Sequence, residues 1–174
     1  MEVWDVYDEN RLKTGAFICR GDSLALGQYH LAVDVWIINR KGEVLLQQRS
    51  YIKDAGAGLW CCTGGAALTG EDSAQACRRE VMEELGIEPE MKQARIIYQN
   101  TWGNCHKDVW LIKQDIKTEA FRLQAEEVEA VRWVSIEQLE REMNMPLLFW
   151  KLTYMDCILN QLKEEVQMRG KENV

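Results

Sequence analysis

Residues 64–86 constrain this chain more than any other stretch. Gly64, Gly65 and Gly70 punctuate a short segment that ends at Asp72, and the pattern beyond it predicts a helix over 72–85. Asp72 is a good N-cap, and Gln75 three residues on completes a capping box. Gly86 stops the helix, and Pro89 follows just beyond. With Glu80 at the origin of a helical wheel, Glu84 falls at about 40° and Glu83 at about 300°. Three carboxylates therefore share one face. Ala74, Val81 and Leu85 fall at about 120°, 100° and 140°, with Cys77 beside them, and make a separate apolar face. Ala76 lies beside the acids and, being small, leaves room for a ligand. The carboxylates repel one another by ~0.2–0.5 kcal/mol per pair. They also occupy the later half of the helix, where the macrodipole disfavours negative charge. Arg79, four residues before Glu83, offsets part of this. Two readings stay open at this level: a solvated acidic face, or a cation site. Oxygen ligands without His or Cys would select a hard cation, Mg²⁺ or Mn²⁺.

Around this helix the chain reads mostly as strands. Residues 4–7, 30–38, 43–49, 94–101, 108–113 and 128–134 carry the Val, Ile, Trp and Tyr patterns of strands. The turn at Asn39–Gly42 predicts a hairpin between 30–38 and 43–49. Residues 50–60, with Asp54, Gly56 and Gly58, read as a lid-like loop. A short helix is expected over 137–143, broken by Pro146. A final helix is expected over 147–168, with an apolar stripe at Leu148, Leu152, Met155, Ile158, Leu162 and Val166. Only one helix falls between strands, which is an α+β plan with a mixed sheet.

Composition removes several function classes. The 174 residues suit one domain, here 1–174, and carry a net charge of −7. That excess of acid opposes a nucleic-acid binder or an anionic-membrane binder. No stretch is apolar for the ~18–20 residues that span a bilayer, and the acidic start lacks a signal-peptide core. Six cysteines without a Cys-x-x-Cys pair read as thiols in a reducing cytoplasm. Two histidines, His30 and His106, exclude a three-His zinc site and read as structural. Acid at Glu71–Asp72 stands where a P-loop needs Lys-Ser/Thr. Tyr98, Trp102 and Trp110 could stack a base or simply be core.

The run Gly65-x5-Glu71-x7-Arg79-Glu80-Val81-x-Glu83-Glu84-x-Gly86-Ile87 matches every position of the Nudix box. On it, the chain resembles the Nudix hydrolases. "WDVYDE", "YHLAVDVWIINRKGEVLLQQRS" and "GLW" resemble the branch similar to type 1 isopentenyl-diphosphate isomerase. The resemblance spans about residues 2–145. It implies a Nudix fold, an α/β/α sandwich with a mixed central β-sheet. It also implies a hydrolase that cleaves a diphosphate bond in a nucleoside diphosphate linked to another moiety, using Mg²⁺ or Mn²⁺. Carried onto this chain, Glu80, Glu83 and Glu84 would hold metal, with the Gly64 carbonyl and Glu127 as further ligands and Glu126 the second candidate for the place of Glu127. Arg79 would hold a box carboxylate, and Glu71 would brace the loop. Glu80 is the favoured base, with Glu83 and Glu127 as alternatives.

Arg49 and Trp102 are the expected substrate contacts, and the partner is a small diphosphate. A symmetric homodimer is the default assembly. The stretch 45–65 has the spacing of the coenzyme A pyrophosphatase motif but departs at Gln47, Asp54, Cys62 and Thr63. The Pro that marks many ADP-ribose hydrolases is replaced by the Trp102–Gly103 region. Two alternatives accompany the hydrolase reading. One is an isopentenyl-diphosphate isomerase-like enzyme, although Trp60 is followed by Cys61 and Cys62 with no Cys-x-His-Pro segment. The other is a non-catalytic nucleotide-sensing module.

Overall fold

The computed structural model describes residues 1–143, 145–146 and 154–172. The chain runs β1 (Val3–Tyr7), β2 (Lys13–Cys19), β3 (His30–Ile38), β4 (Glu43–Arg49), β5 (Trp60–Cys61), β6 (Thr63–Ala66) and α1 (Ser73–Leu85). It continues through β7 (Ala94–Trp102), β8 (Cys105–Lys113), β9 (Val128–Ser135), α2 (Ile136–Glu142) and α3 (Met155–Glu172). Strands β3 to β9 form one seven-stranded mixed sheet, and β1 and β2 pair separately. β3 runs parallel to β8, and every other pairing is antiparallel.

The expected β3–β4 hairpin forms only at its turn. Ile38 pairs with Val44, and the strands then part. β4 spends its length on β9, from Glu43–Ser135 to Arg49–Val128. The segment 60–66 wedges into the resulting fork: β6 pairs with β3 and β5 pairs with β4. The fork exists because residues 60–66 take the facing edges of β3 and β4, whose outer edges are held by β8 and β9. It carries Gly64 and Gly65 to the middle of the molecule.

Alternate residues of β3 supply both cores. Leu31, Val33, Val35 and Ile37 face α1, whose Ala76, Cys77, Val81 and Leu85 are fully buried against them. Trp36 and Ile38 face the opposite layer, which holds Leu139 of α2 and Met155, Ile158 and Leu162 of α3. Helices thus cover both faces of the sheet, as an α/β/α sandwich requires. Asp72 and Gln75 make the expected capping box, and Gly86 ends α1 in the left-handed region at φ 67°. One expectation on α1 is corrected: Ala76 is core, with no space beside it for a ligand, because β3 packs directly on it. The final helix starts at Met155 and runs past 168. Residues 147–153, with Leu148 and Leu152, lie outside the described residues. Tyr98 packs on Tyr154 and Trp110 is buried with its Nε1 donating to Ser73, so both belong to the core. Among the described residues no helix is long and apolar enough to cross a membrane.

Candidate active site

A cleft of about 520 Å³ lies along the 60–66 wedge. Of the residues singled out in the sequence, Gly64, Arg79, Glu80, Glu83, Glu84, Glu127, Arg49 and Trp102 line it, whereas Glu71 and Glu126 do not. The lining residues arrive from α1, β4, β6, β7 and the segment before β9.

Arg79 reaches five acceptor oxygens on four groups, two of them beside it on α1 and two on the segment before the helix. Its Nε donates to Glu71 Oε1 at 2.7 Å, and one terminal nitrogen donates to Glu80 Oε1 at 2.8 Å and Glu83 Oε2 at 2.9 Å. The other donates to the Ala66 carbonyl at 2.8 Å and Glu71 Oε2 at 3.1 Å. Glu71 accepts from the Leu68 N–H at 2.8 Å, so it braces the loop as expected. A planar guanidinium suits this fork of acceptors, and a lysine would not.

Glu80 and Glu84 do not sit on a solvated face. They are only 9% and 6% exposed. Burial pushes the Glu80 carboxyl up to about 7, against the opposing pull of Arg79. Burial pushes Glu84 up to about 8, and the Glu80 charge adds to it. Glu84 Oε2 accepts from Gln47 Nε2 at 2.8 Å and from the Gly64 N–H at 3.3 Å. Gln47 is itself fixed by the Thr63 hydroxyl at 2.9 Å. Gly64 is demanded by close approach, since a Cβ there would lie 2.2 Å from the Val33 carbonyl oxygen. A Cβ on Gly65 would meet Glu80 Oε1 at 2.3 Å, which shows how tightly that carboxylate is laid on the β6 backbone.

Two buried carboxylates, one raising the proton affinity of the other, fit a hard divalent cation, which would offset their repulsion. The remaining candidates are held elsewhere. Glu83 is on Arg79, and Lys53 Nζ donates to Glu127 Oε2 at 2.5 Å. Accordingly, among the described residues no three acidic, thiol or imidazole side chains converge on one point. A ligand set of three carboxylates would require Glu83 or Glu127 to leave its partner. Arg49 secures the lid-like loop, with its Nε donating to the Ala55 carbonyl at 3.0 Å. Trp102 is 75% exposed at the rim.

The structure adds residues that local spacing did not reveal. Gln47 and Lys53 position Glu84 and Glu127. Farther along the cleft, Lys107 Nζ donates to Asp34 Oδ1 at 2.8 Å, and the Tyr154 hydroxyl donates to Asp34 Oδ2. The available signal was Asp34, the lone charge inside apolar β3; Lys107 sits beside Asp108 in β8 and carries no such mark. The structural reading of the histidines also needs refinement. His106 is buried and stacked on Tyr29, whereas His30 lines the cleft and stacks on Trp4 with ring centroids 4.5 Å apart.

The NUDIX domain model matches residues 28–152. An uncharacterised Nudix hydrolase of Listeria monocytogenes is 40% identical over 141 residues, covering 80% of this chain and 83% of that protein. An isopentenyl-diphosphate Delta-isomerase of Streptomyces avermitilis is 29% identical over 176 residues, covering 92% of this chain and 85% of the isomerase. A Deinococcus radiodurans crystal structure superposes with a TM-score of 0.72 at 19% identity, covering 94% of this chain and 98% of that one. The matched segment holds the fork, the glycine wedge, α1 and the strand before α2. This chain belongs to the Nudix hydrolase family.

Proposed function

We propose that this chain is a divalent-metal-dependent hydrolase that cleaves a diphosphate bond in a nucleoside diphosphate linked to another moiety, by water attack on phosphorus. The observation that supports it best is the pair Glu80 and Glu84, buried side by side where β6 meets α1 and clamped by Arg79, Gln47 and the Gly64 N–H. We propose Glu80, Glu84 and the Gly64 carbonyl as the core ligands of Mg²⁺ or Mn²⁺, with Glu83 and Glu127 completing them. A cation held there supplies charge neutralisation to the diphosphate and acidity to the attacking water.

The protein's own residues do the rest. Arg79 occupies Glu80 Oε1 and leaves Oε2 to accept a proton from the attacking water. Without metal, burial pushes this carboxyl up to about 7, and a bound cation would favour the ionised form that accepts the proton. The water oxygen bonds to phosphorus, the bridging P–O bond breaks, and the leaving phosphate departs with its electron pair. Arg49 and Lys53 border the diphosphate, and Trp102 at the rim stacks on the organic group. The catalytic unit is the single domain 1–174, since β1 and β2 lie outside residues 28–152 yet bring Glu2 and Trp4 to the cleft. A cytoplasmic setting accords with six unbridged cysteines.

The isomerase reading has less support. Cys61 and Cys62 are both buried, and burial pushes the Cys61 thiol up to about 12, so neither is a ready proton donor or acceptor at neutral pH. A reaction in ¹⁸O-water with Mg²⁺ separates the readings. Label in a released phosphate or nucleoside monophosphate supports hydrolysis. Isomerised prenyl diphosphate without phosphate release would reject it.

A further inference from the structure

The cleft has a second polar end, away from the α1 carboxylates. Asp34 stands on β3 directly across from Gly64 of β6, and Lys107 stands on β8 beside Ala32. Asp34 and Tyr154 are buried to 5% and 3% exposure, and both line the cleft with Lys107. The Asp34–Lys107 pair is not explained by stability. A buried ion pair loses hydration that its mutual attraction roughly repays, and apolar residues of equal volume often hold a fold as well. Here apolar neighbours were available, since β3 is otherwise Val, Trp and Ile through this stretch.

The residues around the pair are also short of partners. Asn100 faces Lys107 across β7 and β8, His30 faces Cys105 across β3 and β8, and Trp4 lies on His30. Asn100 Oδ1, His30 Nδ1 and Trp4 Nε1 have no hydrogen-bond partner, and all three residues line the cleft. Those atoms lie beneath the lobe's surface, so what meets an occupant is its polar lining, Lys107 foremost, to which a sugar or a base would hydrogen-bond and a hydrocarbon would not.

We propose that Lys107, held by Asp34 and Tyr154, is the specificity-determining residue of the cleft and reads a hydrogen-bond acceptor on the polar organic group that the diphosphate carries. This rests on the diphosphate-binding reading above. Asp34 takes one ammonium proton and fixes the direction of the others. Tyr154 fixes Asp34. Both are positioning residues. The pair is electrically neutral, so it selects an uncharged polar group and does not compete with the carboxylate end for a cation.

Affinity of non-hydrolysable analogues tests this apart from turnover. Calorimetry with Mg²⁺ would compare α,β-methylene ribonucleoside diphosphates with the methylene analogue of isopentenyl diphosphate. We expect at least one nucleotide to bind wild type tenfold or more better than the isopentenyl analogue. Lys107→Met should weaken that nucleotide about 10- to 100-fold and leave the isopentenyl analogue unchanged. Tyr154→Phe should raise KM for the best substrate with kcat nearly level. If Lys107→Met misfolds through the unpaired Asp34, the double variant Asp34→Asn, Lys107→Met removes both charges and gives the same readout. Equal nucleotide affinity with and without Lys107, or an isopentenyl analogue bound as well as every nucleotide, overturns the inference. Lys107-dependent binding without hydrolysis would overturn the hydrolase reading and leave this one standing. A wild type that binds none of the analogues overturns both.

Discussion

The two ends of the cleft bury charge in opposite ways. At α1, Arg79 answers three carboxylates, and Glu84 has only neutral donors, Gln47 and a backbone N–H. That end carries excess negative charge, and burial pushes its two inner carboxyls up to about 7 and about 8. At the β3–β8 end, Asp34 and Lys107 cancel, and Lys107 is pushed up despite its burial because Asp34 stabilises its charge. An unbalanced site calls for an added cation. A balanced one is preorganised for a neutral polar ligand. On the proposed reading, the difference separates chemistry from recognition within about 520 Å³.

Breaking the unbalanced end should cost most. Glu80→Gln keeps the side chain's shape and removes both a ligand charge and the proton acceptor. Turnover should fall ~10²–10⁴-fold, with near-wild-type folding by circular dichroism. A loss below threefold would move the base elsewhere. Arg79→Lys keeps the charge but cannot fork among Glu71, Glu80 and Glu83. Steady-state kinetics should show kcat/KM lowered ~10–100-fold through misplacement of the carboxylates. An unchanged value would mean that the fork does not position them. Gly64→Ala tests the wedge shared by both ends. Its Cβ would collide with the Val33 carbonyl, costing ~1–3 kcal/mol in urea unfolding.

The smallest effect is the linkage of stability to pH, and it sharpens the contrast most cleanly. Folding raises the Glu80 and Glu84 carboxyls above their usual 4.5. Between about 4.5 and about 8 the folded state therefore binds more protons than the unfolded chain. With metal chelated, their contribution should make Tm fall as pH rises through 7 and 8. Glu84→Gln should flatten that slope, and saturating Mg²⁺ should reverse it. Lys107, pushed up by Asp34 from an ordinary value already far above this window, should add nothing. A chelated wild type whose slope matches that of Glu84→Gln would remove the electrostatic argument for a cation.

The unbalanced end was legible in the sequence because it is local. Arg79, Glu80, Glu83 and Glu84 lie within one and a half turns of a capped helix, so spacing alone gathers them. What spacing did not show is their depth: Glu80 and Glu84 are buried because the wedge lies over them, and the wedge depends on pairing with β3 and β4. The same non-local pairing hid β5, β6 and the forked hairpin. β2 was missed for another reason. It is largely exposed and contains Gly15, so no alternation marks it. The balanced end joins residues 73 and 120 apart along the chain. No window of sequence holds them together, and only the β3–β8 register brings Asp34 and Lys107 into reach.

The central claim is that the buried carboxylates of α1 hold the cation on which hydrolysis depends. The most direct measurement follows hydrolysis of the best diphosphate substrate across a Mg²⁺ titration, for wild type and Glu84→Gln. The account predicts no activity without metal, a lower maximal rate for the variant, and a shift of its half-activating Mg²⁺ to higher concentration. Equal rates at every Mg²⁺ concentration would contradict it and return this helix to a structural role.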